Sequence, residues 1–185
     1  LYSHPDIFLR ELISNSSDAL DKLRFQMLTS PELDSDRELR IEIIPDADKG
    51  TLTVRDNGIG MSEEEMATEL GTIASSGTRG FMENIAASEE KNTAPELIGQ
   101  FGVGFYSSFM VADTVEVLSR RAGSDEQGHR WQSDGHDTFT LRREDDLPEG
   151  TSVVLNLKDE MDEYLSEHRI KELVRKYSDF ISYPV

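Results

Sequence analysis

A chain of 185 residues, 36% hydrophobic and 30% charged, is long enough to bury one core without staples, or at most two small ones. No apolar run reaches the ~18 residues that a membrane-spanning helix needs. The absence of cysteine excludes disulfides, thiol catalysis and sulfur-ligated zinc. Asp and Glu number 37 against 19 Lys and Arg, a formal charge of −18 with His neutral, which repels nucleic acid and anionic lipid. A polyanionic ligand would need a local site of backbone N–H groups, a metal ion, or both. The chain opens on Leu1 and stops at Tyr183-Pro184-Val185 with no start or terminal motif, so it is expected to be a piece of a longer protein.

The first helical pattern runs from about Pro5 to Thr29, with Ser3 as a candidate cap, and Ser30-Pro31 ends it. Arg37 to Ile44 alternates as a strand, Asp46 to Gly50 is a turn, and Thr51 to Arg55 returns. After the tight loop Asp56-Asn57-Gly58-Ile59-Gly60, Ser62 and Glu65 form a capping box for a short helix to about Leu70. A loop-rich middle follows. Gly99, Gly102 and Gly104 then lead into a helix from Phe105 to Ala112. Strands are expected at Thr114–Arg120, His129–Ser133, Thr138–Arg142 and Ser152–Leu157, and a last helix from about Asp162 to Ile181. That order predicts one α+β domain over 1–185, with helices on one face of a mostly antiparallel sheet.

On the first helix, Leu9, Leu12, Ile13, Leu20, Leu23 and Met27 form the apolar face. Glu11, Asn15, Asp18 and Lys22 share an arc of roughly 60°, flanked by Ile7, Phe8, Ala19 and Phe25. This stripe reads either as a pocket wall or as a second solvated stripe with an Asp18–Lys22 pair. Asp56-x-Gly58-x-Gly60-Met61 sets a carboxylate at a strand end beside glycines that admit a ligand to the backbone, and Met61 adds an adaptable apolar surface. A plain turn would have the same sequence. Gly99-x-x-Gly102-x-Gly104 before a helix is a ready anion site, but it is neither a P-loop nor a dinucleotide fingerprint. Gly71 to Thr78 is a further stretch of small residues. The polar linker between these two stretches reads as a mobile lid or a long surface loop. Trp131 reads as packing, and the four histidines are scattered without a metal motif.

In this order and spacing, Glu11-Leu-Ile-Ser-Asn15, Asp56-x-Gly58-x-Gly60, Gly99-x-x-Gly102-x-Gly104 and Gly150-Thr151 resemble the four motifs of the GHKL ATPase superfamily. That group holds gyrase-type topoisomerases, mismatch-repair ATPases, histidine kinases and the heat-shock protein 90 chaperones. The stretches Phe8 to Asn15, Leu70 to Ala74, Ile98 to Ser107 and Lys176 to Pro184 look like the chaperone branch, in its bacterial type, and the resemblance covers nearly the whole chain.

The resemblance implies a Bergerat-type ATP-binding domain, a two-layer α/β sandwich. Glu11 would be the general base, and Asn15 would coordinate Mg²⁺ on the phosphates of ATP or ADP. Asp56 would accept from the adenine amino group, with Thr151 in support. Gly58, Met61 and Leu70 would line the base pocket, and Gly102, Gly104 and Phe105 would lie near the nucleotide. Gly71 to Gly104 would be the lid. The resemblance further implies a cytoplasmic chaperone that acts on unfolded or partly folded client proteins. It would be a homodimer at full length and a monomer as this piece, with no nucleic-acid or membrane partner. A histidine kinase or a DNA-acting ATPase is the alternative. Glu69 and Ser75 stand where relatives often carry neutral or basic groups, so weaker nucleotide affinity is expected. The resemblance also implies a following domain that supplies an arginine to the γ-phosphate, so binding with little hydrolysis is expected of this piece.

Overall fold

Period-two alternation builds a six-stranded sheet in the computed structural model, which describes residues 5–33, 36–75, 104–136, 138–179 and 181–185. The strands are β1 (Ile41–Asp46), β2 (Thr51–Asp56), β3 (Ala112–Arg120), β4 (Gly128–Ser133), β5 (Phe139–Glu144) and β6 (Gly150–Leu157). They lie in the order β1-β2-β6-β3-β4-β5, and every neighbouring pair is antiparallel. Among the described residues three α-helices accompany them: α1 (Ile7–Thr29), α2 (Glu63–Ser75) and α3 (Glu167–Tyr177). Helix α1 packs against β2 and α2 against β4 and β5, an α+β arrangement as expected.

Register sets the sheet's residues in cross-strand rows. One row runs Ile43, Val54, Val153, Val117, Trp131, Leu141 and is apolar throughout. Trp131 is fully buried, 5.7 Å edge-on to Phe105 and 6.1 Å stacked on Phe139, so it is packing as its sequence context indicated. Gly71 of α2 carries no Cβ because one would stand 2.9 Å from the Phe139 ring; the glycine lets α2 close onto the sheet. The apolar face of α1 is buried at Leu9, Leu12, Ile13, Leu20 and Leu23, as its periodicity predicts.

Several boundaries differ from the sequence reading, each for a local reason. Helix α1 begins at Ile7, and Ser3 lies outside the described residues. Just before it, the buried Asp6 carboxylate accepts from the Tyr164 hydroxyl at 2.6 Å and from Arg169 at 2.9 Å, tying the helix start to the end of the chain. Strand β1 starts at Ile41 rather than Arg37, because the Asn57 side chain accepts from Arg40 N–H at 2.9 Å and donates to the Glu38 carbonyl at 2.8 Å. Those bonds replace a strand ladder.

The capping box is real: Ser62 Oγ accepts from Glu65 N–H at 3.2 Å, and Glu65 Oε1 accepts from Ser62 N–H at 3.3 Å. The helix it opens continues past Leu70 to Ser75, so the start assigned to the lid is helical. Most of that lid segment lies outside the described residues.

The helix expected from Phe105 to Ala112 is a 3₁₀ segment, Gly104–Met110. There Ser107 Oγ donates to the Gly104 carbonyl at 2.5 Å and competes with α-type bonding. The expected last helix divides into a 3₁₀ segment, Asp159–Leu165, and α3. Extended backbone at Ser166 separates them, and its side chain accepts from Arg169 N–H to cap α3.

Candidate functional site

The loop after β2 is laced between α1 and the end of β3. Ile59 N–H donates to the Ala19 carbonyl at 3.0 Å, and Ala122 N–H donates to the Ile59 carbonyl at 2.8 Å. A Cβ on Gly58 would stand 2.7 Å from the Ala19 carbonyl carbon, so only glycine lets the loop sit this close to α1. Gly60 has φ +68°, and a Cβ there would overlap the Arg120 carbonyl. The two glycines of the Asp56 motif therefore seat the loop.

Between α1, α2 and the sheet lies a cavity of about 930 Å³. Its wall includes Asn15, Asp56, Met61, Leu70, Phe105 and Thr151 among the residues singled out by sequence. Glu11, Gly58 and Gly104 are not on that wall, and Gly102 lies outside the described residues. The stripe on α1 divides accordingly. Asn15, Asp18 and Lys22 face the cavity. Glu11 lies one turn earlier, its side chain 14% exposed, with Arg10 Nη2 at 3.0 Å from Oε1. A Cβ on Gly104 would overlap Glu11 Oε2, so a glycine at that position makes room for the carboxylate. Glu69, also on the wall, adds negative charge there.

A second cross-sheet row on the core side is polar: Asp56, Thr151, Ser119 and His129 are successive register partners from β2 to β4. Asp56 is 5% exposed. Burial pushes its carboxyl up to about 6, against hydrogen bonds from Gly58 N–H, the Ser16 hydroxyl and Thr151 N–H. A carboxylate has about four acceptor positions. Gly58 N–H takes one, at 2.9 Å from Oδ1, and Asp56 lines the cavity, where a ligand's donor can reach the carboxylate.

Ser119 is the hub next to it. Its Oγ accepts from Met61 N–H at 2.8 Å, lies 3.1 Å from the Gly150 carbonyl and 2.7 Å from Thr151 Oγ1. Ser16 on the cavity wall and Ser119 beside it are among the residues that the sequence reading missed, as is Arg121 on the wall. Ser16 carried a usable signal, since it is a polar residue in line with Leu12 and Leu20 on the apolar face of α1. Ser119 had only its alternation with Val117 on the inward face of β3. Ser119→Ala leaves the Met61 N–H without its acceptor and Thr151 without its partner. It is expected to cost about 1–3 kcal/mol of stability, read as a lower urea midpoint at unchanged slope.

Residues 2–139 match the family of histidine kinase-, DNA gyrase B- and HSP90-like ATPases. The chain belongs to this ATPase family. Over its whole length it is 53% identical to chaperone protein HtpG of Geobacter sulfurreducens, of which it covers 29%. It is 52% identical to chaperone protein HtpG of Rhodococcus jostii and 50% identical to that of Myxococcus xanthus, covering 30% and 28% of them. The chain thus spans less than a third of the length of these relatives. Asn15 of α1, Asp56 at the end of β2 and Gly60 of the following loop lie around this one cavity.

Proposed function

We propose that the chain is the ATP-binding and ATP-hydrolysing domain of a molecular chaperone that assists the folding of client proteins. The observation that carries this reading is the buried Asp56 carboxylate on the wall of the cavity. An adenine amino group is a donor of the right kind, and the apolar walls supplied by Met61, Leu70 and Phe105 suit the face of the base. A cavity of about 930 Å³ is ample for a nucleotide.

Asn15 fits a Mg²⁺ site, because this ion needs only one or two protein oxygens beside phosphates and water. When bound, Mg²⁺ neutralises charge on the phosphates. Glu11 holds the attacking water and takes its proton, and the Arg10 contact orients its carboxylate. Thr151 and Ser119 hold Asp56 and the loop of Met61 in place. Glu69 on the wall weakens affinity for the anion, and turnover in this chain alone is low.

The whole protein is read as a cytoplasmic homodimer acting on partly folded clients, with this piece monomeric. No helix among the described residues is long and apolar enough to cross a membrane. A histidine kinase or a DNA-acting ATPase of the same family is disfavoured by the relatives' names and by the charge of −18, which repels DNA.

The test is a thermal melt with and without ADP and Mg²⁺. At about 100 times Kd the ligand adds roughly 2.7 kcal/mol, a rise of about 5–11 °C for a chain of this size. No shift at millimolar ADP would remove the nucleotide reading for this chain.

A further inference from the structure

The polar row that begins at Asp56 passes through His129 to Arg143 on β5, and the cavity does not use His129. His129 is 7% exposed, and its Nδ1 is buried with no hydrogen-bond partner among the described residues. Two carboxylates flank the ring. Glu63 Oε2, in the first turn of α2, is 3.3 Å from Nε2, and Glu126 Oε1, in the β3–β4 turn, is 4.0 Å from Nδ1. One donor atom from each of the three residues falls within 4.8 Å of the others.

We propose that His129, Glu63 and Glu126 bind a divalent transition-metal ion of the zinc type. A neutral imidazole carries one N–H, so one of its ring nitrogens presents a lone pair. Here both ring nitrogens face carboxylate oxygens, and a lone pair against a carboxylate is repulsive unless a proton or a metal ion lies between them. The 4.0 Å gap at Nδ1 is too long for a hydrogen bond, and a small turn of the Glu126 carboxylate, whose Oε1 also accepts from Glu63 N–H at 3.1 Å, closes it to the roughly 3.4 Å between ligands of a tetrahedral zinc. One imidazole with two carboxylates suits zinc rather than Mg²⁺ or Ca²⁺, which favour all-oxygen shells. Three protein ligands leave a position for water. Glu63 is 61% exposed at its side chain and free to turn its oxygens toward the ion, whereas the buried histidine supplies the fixed point. The ion would join the start of α2 to β4 and to the β3–β4 turn, next to the Ser119 hub.

The experiment is a zinc titration of the chelator-treated chain, followed by the ring ¹⁵N shifts of its histidines and by calorimetry. The first equivalent is expected to move one ring nitrogen of His129, whereas Mg²⁺ and Ca²⁺ in excess leave it unmoved. Glu63→Gln and Glu126→Gln keep shape and one acceptor, and each is expected to weaken zinc about tenfold or more, with an unchanged circular dichroism spectrum. A His129 ring that zinc does not move would overturn the site, as would affinity unchanged in both variants. The ring would then be an imidazolium between two glutamates, or the zinc would sit elsewhere on the acidic surface.

Discussion

Asp56→Asn is expected to cut the ADP-dependent rise in melting temperature to about half or less at the same ADP concentration while leaving the chain folded. The asparagine side chain has a single acceptor oxygen, and Gly58 N–H, Ser16 and Thr151 N–H already compete for it. Its amide nitrogen would meet one of these donors or the ligand's donor. A hydrogen bond to a charged group is worth about 1.5–3 kcal/mol, so affinity falls roughly 10- to 150-fold.

The ligand-free fold responds less, because two effects oppose each other. Asparagine gives up an acceptor, but it also removes a buried charge. The size of that charge term follows from the carboxyl's shift. In the folded chain it is raised to about 6 from an ordinary 3.8. Between those values the folded state holds a proton that the unfolded state has lost. The stability this contributes is full below about 3.8 and is lost as pH rises through about 6, at up to about 1.4 kcal/mol per pH unit. Near neutral pH the fold therefore bears the cost of an ionised Asp56, as expected of a group kept for binding. The same titration predicts that ADP affinity falls as the pH drops through about 6, because protonation removes the charged acceptor. Calorimetric titration across that range checks it, and a flat profile would count against Asp56 as the base contact.

Glu11→Gln is expected to lower ATP turnover by about 10²–10⁴-fold while leaving ADP affinity within twofold of the unchanged chain. Glutamine preserves the size of the side chain, the Arg10 contact and the space left by Gly104, but it cannot take a proton from water near neutral pH. Phosphate release and the ADP melt together separate a base from a structural group. Loss of both signals would mean that Glu11 supports the fold. Unchanged release would remove it from catalysis.

Much of this was legible in the chain itself because the signals are local. Alternation at Leu52 and Val54 and at Val115 and Val117 placed the inner strands. The Ser62–Glu65 box placed the start of α2, and the spacing of Leu9, Leu12, Ile13, Leu20 and Leu23 placed the buried face of α1. The motif residues Asn15, Asp56, Met61, Leu70, Phe105 and Thr151 do meet at one cavity. The type and ends of elements were less legible. Side chains such as Asn57, Ser107 and Ser166 decide them by bonding to particular backbone groups, and propensity does not record those bonds.

The amino-acid sequence alone determined the fold class, the family resemblance and the candidate residues. Periodicity and glycine spacing act over a few residues and survive without any knowledge of neighbours. Only the tertiary structure decided which donors surround Asp56. Ser16, Gly58 and Thr151 come from α1, the loop and β6, and strand register brings Thr151 opposite Asp56 and Ser119 opposite both Thr151 and His129. Pairings between residues far apart in the chain are set by the order β2-β6-β3-β4, and burial of that row then sets the proton affinity of Asp56 that gives the site its chemistry.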